Sequence, residues 1–89
     1  MGDNRYRVQS VGRAVDLLER IAESGRDGAR LTDLARDVHL SKPAAYAILA
    51  TLLARGLVVD TGEGMTRRYR LGLALLRLGD VAVSNTGLA

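Results

Sequence analysis

A mainly helical fold closed by a small β-hairpin is what this sequence predicts, and three observations predict it. Apolar residues recur at three- and four-residue steps through most of the chain before Gly56, the period of helices with one buried face. After Gly56 the period changes, and two short β-prone runs flank a glycine-containing loop. Finally, 89 residues leave room for one small domain, which buries only roughly 60–65% of the surface its unfolded chain exposes.

Taken in order, residues 1–9 are polar and unpatterned and read as a flexible arm. From Ser10 the pattern turns helical, with Val11, Ala14, Val15, Leu18, Ile21 and Ala22 on one face. Ser10 suits the N-cap, because its hydroxyl accepts from an unpaired backbone N–H. Gly25 and the Arg-Asp-Gly-Ala stretch that follows end this helix in a loop. A second, short helix places Leu31, Leu34, Ala35 and Val38 on one face with Thr32 as N-cap, and His39 and Leu40 make a tight turn. Ser41 then caps a third helix with Pro43 in its first turn, where a missing N–H costs little. Its buried face reads Ala45, Ile48, Leu49, Leu52 and Leu53, and Gly56 closes it. Residues 57–60 and 68–71 are the strands of the hairpin, with Tyr69 and Leu71 facing one side and Arg68 and Arg70 the other. Leu73, Leu75, Leu76, Leu78, Ala82 and Val83 suggest a fourth helix that frays by Ser84.

Composition removes several functional classes. There is no cysteine, so disulfides, thiolate nucleophiles and Cys-ligated zinc are excluded, and one histidine excludes a His-based metal cage. The apolar runs are short and broken by charge, and the N-terminus has no apolar stretch behind its charges. A cytoplasmic domain is expected. Gly62-Glu63-Gly64 lacks the length and the Gly-Lys-Ser/Thr ending of a phosphate loop. Nothing gathers a nucleophile, a base and an orienting group, so neither catalysis nor a cofactor is expected.

The net charge of +3 is unevenly placed. Residues 15–40 carry four Arg against six acids, whereas residues 41–59 hold Lys42 and Arg55 and no acid. The acid-free stretch runs from Val38 to Val59. A basic centre behind an acidic first third points to a polyanionic partner.

Two helices joined by a short turn, followed by a hairpin, form a winged helix-turn-helix. Its parts here are a three-helix core, a two-stranded wing and a C-terminal linker helix. Residues 1–9 are the arm, 10–72 the winged domain and 73–89 the linker helix. The third helix would present Lys42, Ala44, Tyr46, Ala47, Ala50 and Thr51 to solvent. A helix of this kind fits the major groove, where each base pair shows its own donor and acceptor pattern. Double-stranded DNA is therefore the expected partner. Candidate contacts on this helix are Ser41, Lys42, Ala44, Tyr46 and Ala47, and on the wing Arg67, Arg68 and Arg70. Arg13 at the start of the first helix is placed to touch backbone, and Arg5 and Arg7 on the arm to reach a minor groove. Arg70 is also placed to pair with Asp60 across the hairpin, and His39 reads as a turn residue. The alternative reading is a winged helix used only for protein contact or dimerisation.

The chain also resembles the IclR family of bacterial transcription regulators. Gln9-Ser10-Val11 with Arg13-Ala14 and Leu17-Leu18 resembles the family's first helix. Leu31-Thr32-Asp33-Leu34-Ala35 and Leu40-Ser41-Lys42 resemble its second helix and the start of its recognition helix. Leu49-Ala50-Thr51-Leu52, Arg55-Gly56-Leu57-Val58, Tyr69-Arg70-Leu71-Gly72 and Leu76-Arg77-Leu78-Gly79 continue the likeness. The resemblance implies a homodimer on a roughly palindromic operator. It also implies a small-molecule effector bound by a second domain that these residues do not include, so the chain reads as a DNA-binding part of a longer regulator. Pro43-Ala44 stands where relatives often carry Ser-Thr, Ala47 where they often carry Arg, and His39 where they often carry Gly. Alanines contact thymine methyls, so more of the affinity falls to the wing and arm.

Overall fold

The computed structural model describes residues 4–87, and the first three residues of the expected arm lie outside them. A single 3-10 turn at Asn4–Tyr6 precedes helix α1, Gln9–Glu23. Helices α2, Leu31–Asp37, and α3, Lys42–Ala54, follow. Strands β1, Val58–Thr61, and β2, Arg68–Leu71, form the wing, and α4, Leu73–Thr86, leaves it. The expected order of helices and hairpin is the order observed.

Two of the three expected caps are displaced. Helix α1 starts at Gln9 with Val8 in the cap position, so Ser10 lies inside its first turn. Helix α2 starts at Leu31 with Arg30 in the cap position, which places Thr32 within the helix. Neither Val8 nor Arg30 makes a side-chain cap bond. Ser41 does cap α3, its hydroxyl accepting from the Ala44 N–H at 3.2 Å. The α1 face is only partly the expected one. Ile21 is buried as expected and Ala14 and Leu18 pack against the core, but Leu17 is buried as well, while Val11 and Val15 are 60% and 47% exposed. The heptad-like spacing of Val11, Val15, Leu18 and Ala22 runs beside the core stripe, so periodicity alone mistakes one edge of the face for its centre.

Leu17 and Ile21 meet Leu34 of α2 and Val38 just after it, Leu49 and Leu52 of α3, Val58 of β1 and Tyr69 of β2. Each large side chain sealed here contributes about 1.5–3 kcal/mol relative to exposure. The wing pairs antiparallel with Val58 opposite Leu71, Val59 opposite Arg70, Asp60 opposite Tyr69 and Thr61 opposite Arg68. A third segment joins the sheet unannounced. Ala29, in the loop before α2, bridges Tyr69 through two backbone hydrogen bonds of 2.8 and 2.9 Å. The wing tip is a 3-10 turn at Gly64–Thr66, with the Thr66 hydroxyl donating to Glu63 O at 2.8 Å and accepting from Glu63 N–H at 3.2 Å.

Between α2 and α3, His39 turns the chain with φ 61°, the only described residue other than glycine at positive φ. Histidine enters this left-handed region more readily than most side chains. Arg20 ties α1 to the end of α2, donating to Asp37 at 2.8 Å and also pairing with Glu23. Helix α4 extends to Thr86, beyond the fraying expected at Ser84, and ends on left-handed Gly87. Only Ala74 in its first turn is buried. That turn is fixed by Gly72 N–H to Leu57 O at 2.9 Å and Ala74 N–H to Gly56 O at 3.2 Å.

Two stability outcomes follow. A Cβ at Gly72 would stand 2.2 Å from the Gly56 carbonyl oxygen, and backbone has little room to yield. Gly72→Ala should therefore lower unfolding stability by about 1–3 kcal/mol in urea titration. The hydrogen bond from Arg20 holds the Asp37 carboxyl below its ordinary value, against the opposing effect of desolvation. A carboxyl depressed in the folded state adds stability above its unfolded value and loses it as pH falls. Asp37→Asn should thus make thermal stability less sensitive to acid below about pH 4.

Candidate nucleic-acid interface

The apolar spacing of α3 buries Ala45, Leu49 and Leu52 and turns the opposite side outward. Lys42, Ala44, Tyr46, Ala47, Ala50 and Thr51 are all exposed, as is the cap Ser41. This outward face carries no carboxylate, and Lys42 is its one charge. The Thr51 hydroxyl donates to Ala47 O at 3.0 Å within the helix. What projects is mostly methyl surface with Lys42 and Tyr46 at its N-terminal end.

The wing does not keep its three arginines together. Alternation along β2 sends Arg67 and Tyr69 to one face and Arg68 and Arg70 to the other. Arg68 borders a groove it shares with Arg20, Glu23, Asp33, Arg36 and Asp37, where the acids are already paired with Arg20 and Arg36. Arg70 lies beside Ile21, Ala22, Val59 and Leu71, its Nε buried with no hydrogen-bond partner. The cross-strand pair expected for Arg70 does not form. Asp60 stands opposite Tyr69, and its carboxylate pairs with Arg67 at 2.9 Å. The residue at the end of the wing loop reaches Asp60 because it shares a face with Asp60's cross-strand neighbour.

Arg67 instead joins α3. Its guanidinium lies 5.9 Å from the centre of the Tyr69 ring and borders the same groove as Tyr46. Tyr46 first, then Tyr69 and Asp60, hold its charge more firmly than usual. Tyr69 is fully buried, and burial raises its phenol above the ordinary value while the Arg67 charge opposes this. Its hydroxyl lies near Arg67, but no partner meets it in hydrogen-bond geometry.

Lys42, Tyr46 and Arg67 thus line one groove of about 380 Å³, together with Arg30, Thr32 and Tyr69. The sequence points to the first three and misses the others. Arg30 and Thr32 carry no local signal for the groove, because only the packing of the loop before α2 against β2 brings them there. Arg13 is elsewhere, 3.5 Å from Val38 O and 3.9 Å from Asp16. Arg7 borders a shallow groove with Arg13, and Arg5 stacks on Tyr6 at 5.3 Å. Among the described residues no cluster of His or acids is arranged to hold a metal, and no helix is long and apolar enough to cross a membrane.

Known proteins resemble this chain in sequence and fold. The profile of IclR helix-turn-helix domains matches residues 10–62. The glycerol operon regulatory protein of Streptomyces coelicolor is 39% identical over 72 residues, which are 81% of this chain and 27% of that protein. The HTH-type transcriptional regulator KdgR of Dickeya chrysanthemi is 33% identical over 81 residues, 91% of this chain and 25% of that protein. The crystal structure of an IclR transcriptional regulator from Alicyclobacillus acidocaldarius superposes with a TM-score of 0.76 at 29% identity, covering 88% of this chain and 30% of that one. An IclR family regulator from Brucella abortus, 22% identical, has the same fold with a TM-score of 0.79, over 96% of this chain and 31% of that one. This chain therefore spans about a quarter to a third of the length of the relatives it matches. With a winged helix-turn-helix fold and a matching family profile over more than half its length, the chain belongs to the IclR helix-turn-helix family.

Proposed function

We propose that this chain is the DNA-binding part of a transcription regulator, acting in the cytoplasm with α3 in the major groove of double-stranded DNA and the wing against the backbone. The observation that carries this reading is the carboxylate-free face of α3, flanked at its N-terminal end by Arg30, Lys42 and Arg67. A helix with small side chains approaches base edges closely, and its alanines suit thymine methyls. Catalysis has no part in the reading. The profile match and the regulatory relatives support it.

A homodimer on paired half-sites fits the same reading. Leu73, Leu76, Leu78 and Val81 of α4 are each more than half exposed, an apolar surface that self-association would cover. Linked half-sites raise affinity through effective concentration rather than new contacts. A small-molecule effector would act through parts of a regulator outside these residues.

Anisotropy of a labelled random-sequence duplex, titrated with the protein between about 50 and 300 mM salt, tests the reading. Non-specific binding should show Kd on the order of 10⁻⁴–10⁻⁶ M at physiological salt and weaken steeply as salt rises. Lys42→Ala should weaken binding and reduce the slope of log K against log salt by about 0.9, the share of one phosphate. Absence of binding at the lowest salt, in a sample that sedimentation shows to be dimeric, would favour the protein-contact alternative.

A further inference from the structure

The groove between α3 and the wing contains groups that the fold leaves unsatisfied. Tyr69 is 0% exposed, yet its hydroxyl has no hydrogen-bond partner. The Nε of Arg67, two residues earlier on the same face of the chain, is buried and equally unpartnered. Leaving a buried donor unpaired is costly, and both donors belong to residues that line this one groove.

The charges around them have one sign. Arg30 and Lys42 line the groove and form no ion pair among the described residues. Arg67 adds a third cation, and the one carboxylate on it is Asp60, bound to a terminal guanidinium nitrogen. Asp60 leaves Nε untouched and holds the guanidinium by its terminal nitrogen. Thr32 and Tyr46 add hydroxyls at the rim. The groove therefore offers fixed donors to an anion with several oxygens, the chemistry of a phosphate.

We propose that this pocket seats one phosphodiester of the duplex backbone, with Tyr69 and Arg67 donating from its floor and Arg30 and Lys42 closing on it from the start of α2 and of α3. The inference rests on the DNA-binding reading above and adds a defined seat that fixes how α3 and the wing sit on the duplex together. Tyr69, which belongs to the hydrophobic core by burial, becomes a ligand through its hydroxyl alone.

Tyr69→Phe tests this with little change of shape. Removal of an unpaired buried hydroxyl should leave the thermal midpoint equal or higher. If the hydroxyl donates to a phosphate, affinity for the random-sequence duplex should fall about tenfold, the usual loss for a hydrogen bond to a charged group. The salt slope should stay the same, because no charge is removed, whereas Arg30→Ala should reduce it. Combining Tyr69→Phe with Arg30→Ala should cost less than the two single losses together, as for residues that share one ligand. Wild-type binding with an unchanged Tyr69→Phe affinity would overturn the pocket and leave the DNA-binding reading standing. Failure of the wild type to bind duplex would overturn both. Titration with inorganic phosphate, followed by the NMR signal of the Arg67 Nε–H, provides a second arm. Saturation that Tyr69→Phe abolishes while duplex affinity is untouched would assign the pocket to free phosphate and overturn the backbone assignment.

Discussion

Two backbone hydrogen bonds between Ala29 and Tyr69, of 2.8 and 2.9 Å, make β2 the middle of a three-segment arrangement. On one side β2 pairs with β1, and on the other it holds the chain just before α2 begins. The same residue sends its ring into the core among α1, α2 and α3. A two-stranded hairpin is only marginally stable alone, and here it is anchored by backbone on one edge and by a buried aromatic on one face. The position of the wing relative to α3, and hence the shape of the interface, depends on this attachment. Close packing behind it has no slack, since Gly28 would bring a Cβ within 2.7 Å of Tyr69 O.

Electrostatics then divides the surface. Asp33, Asp37 and Glu23 are answered by Arg36 and Arg20 on the α1–α2 side. The opposite side keeps Arg30 and Lys42 without ion pairs among the described residues, and Arg67 with only Asp60. A modest net charge of +3 therefore becomes a directional field. Compensated charges hold helices together on one side, and uncompensated ones remain on the side that carries α3. Exposed pairs of this kind add little stability individually, so their arrangement matters more for where the positive surface lies.

Helix α4 follows different rules. It is attached through its first turn, where Gly72 and Ala74 bond to Leu57 and Gly56, and the rest stands clear with leucines and valines in solvent. A helix with apolar residues around much of its circumference is rarely left bare. Its attachment point is rigid because only a glycine fits against the Gly56 carbonyl, so the direction of the helix is set by the wing domain itself.

The element order, the turn at His39, the Ser41 cap, the outward face of α3 and the boundary near Gly56 were all legible in the amino-acid sequence. Each rests on local chemistry: helical period, a hydroxyl before a helix, a residue tolerant of positive φ. Lys42, Tyr46 and Arg67 were also legible as candidates, although their meeting in one groove was not. Only the tertiary structure decided that Arg67 rather than Arg70 pairs with Asp60, that Arg68 and Arg70 face away from α3, and that Arg30 and Tyr69 complete the groove. Cross-strand register and the Ala29 bridge fix those outcomes, and both join residues far apart in the chain. The centre of the α1 face was misread for the same reason, since Val11 and Leu17 compete locally on equal terms and only the packed partners choose between them.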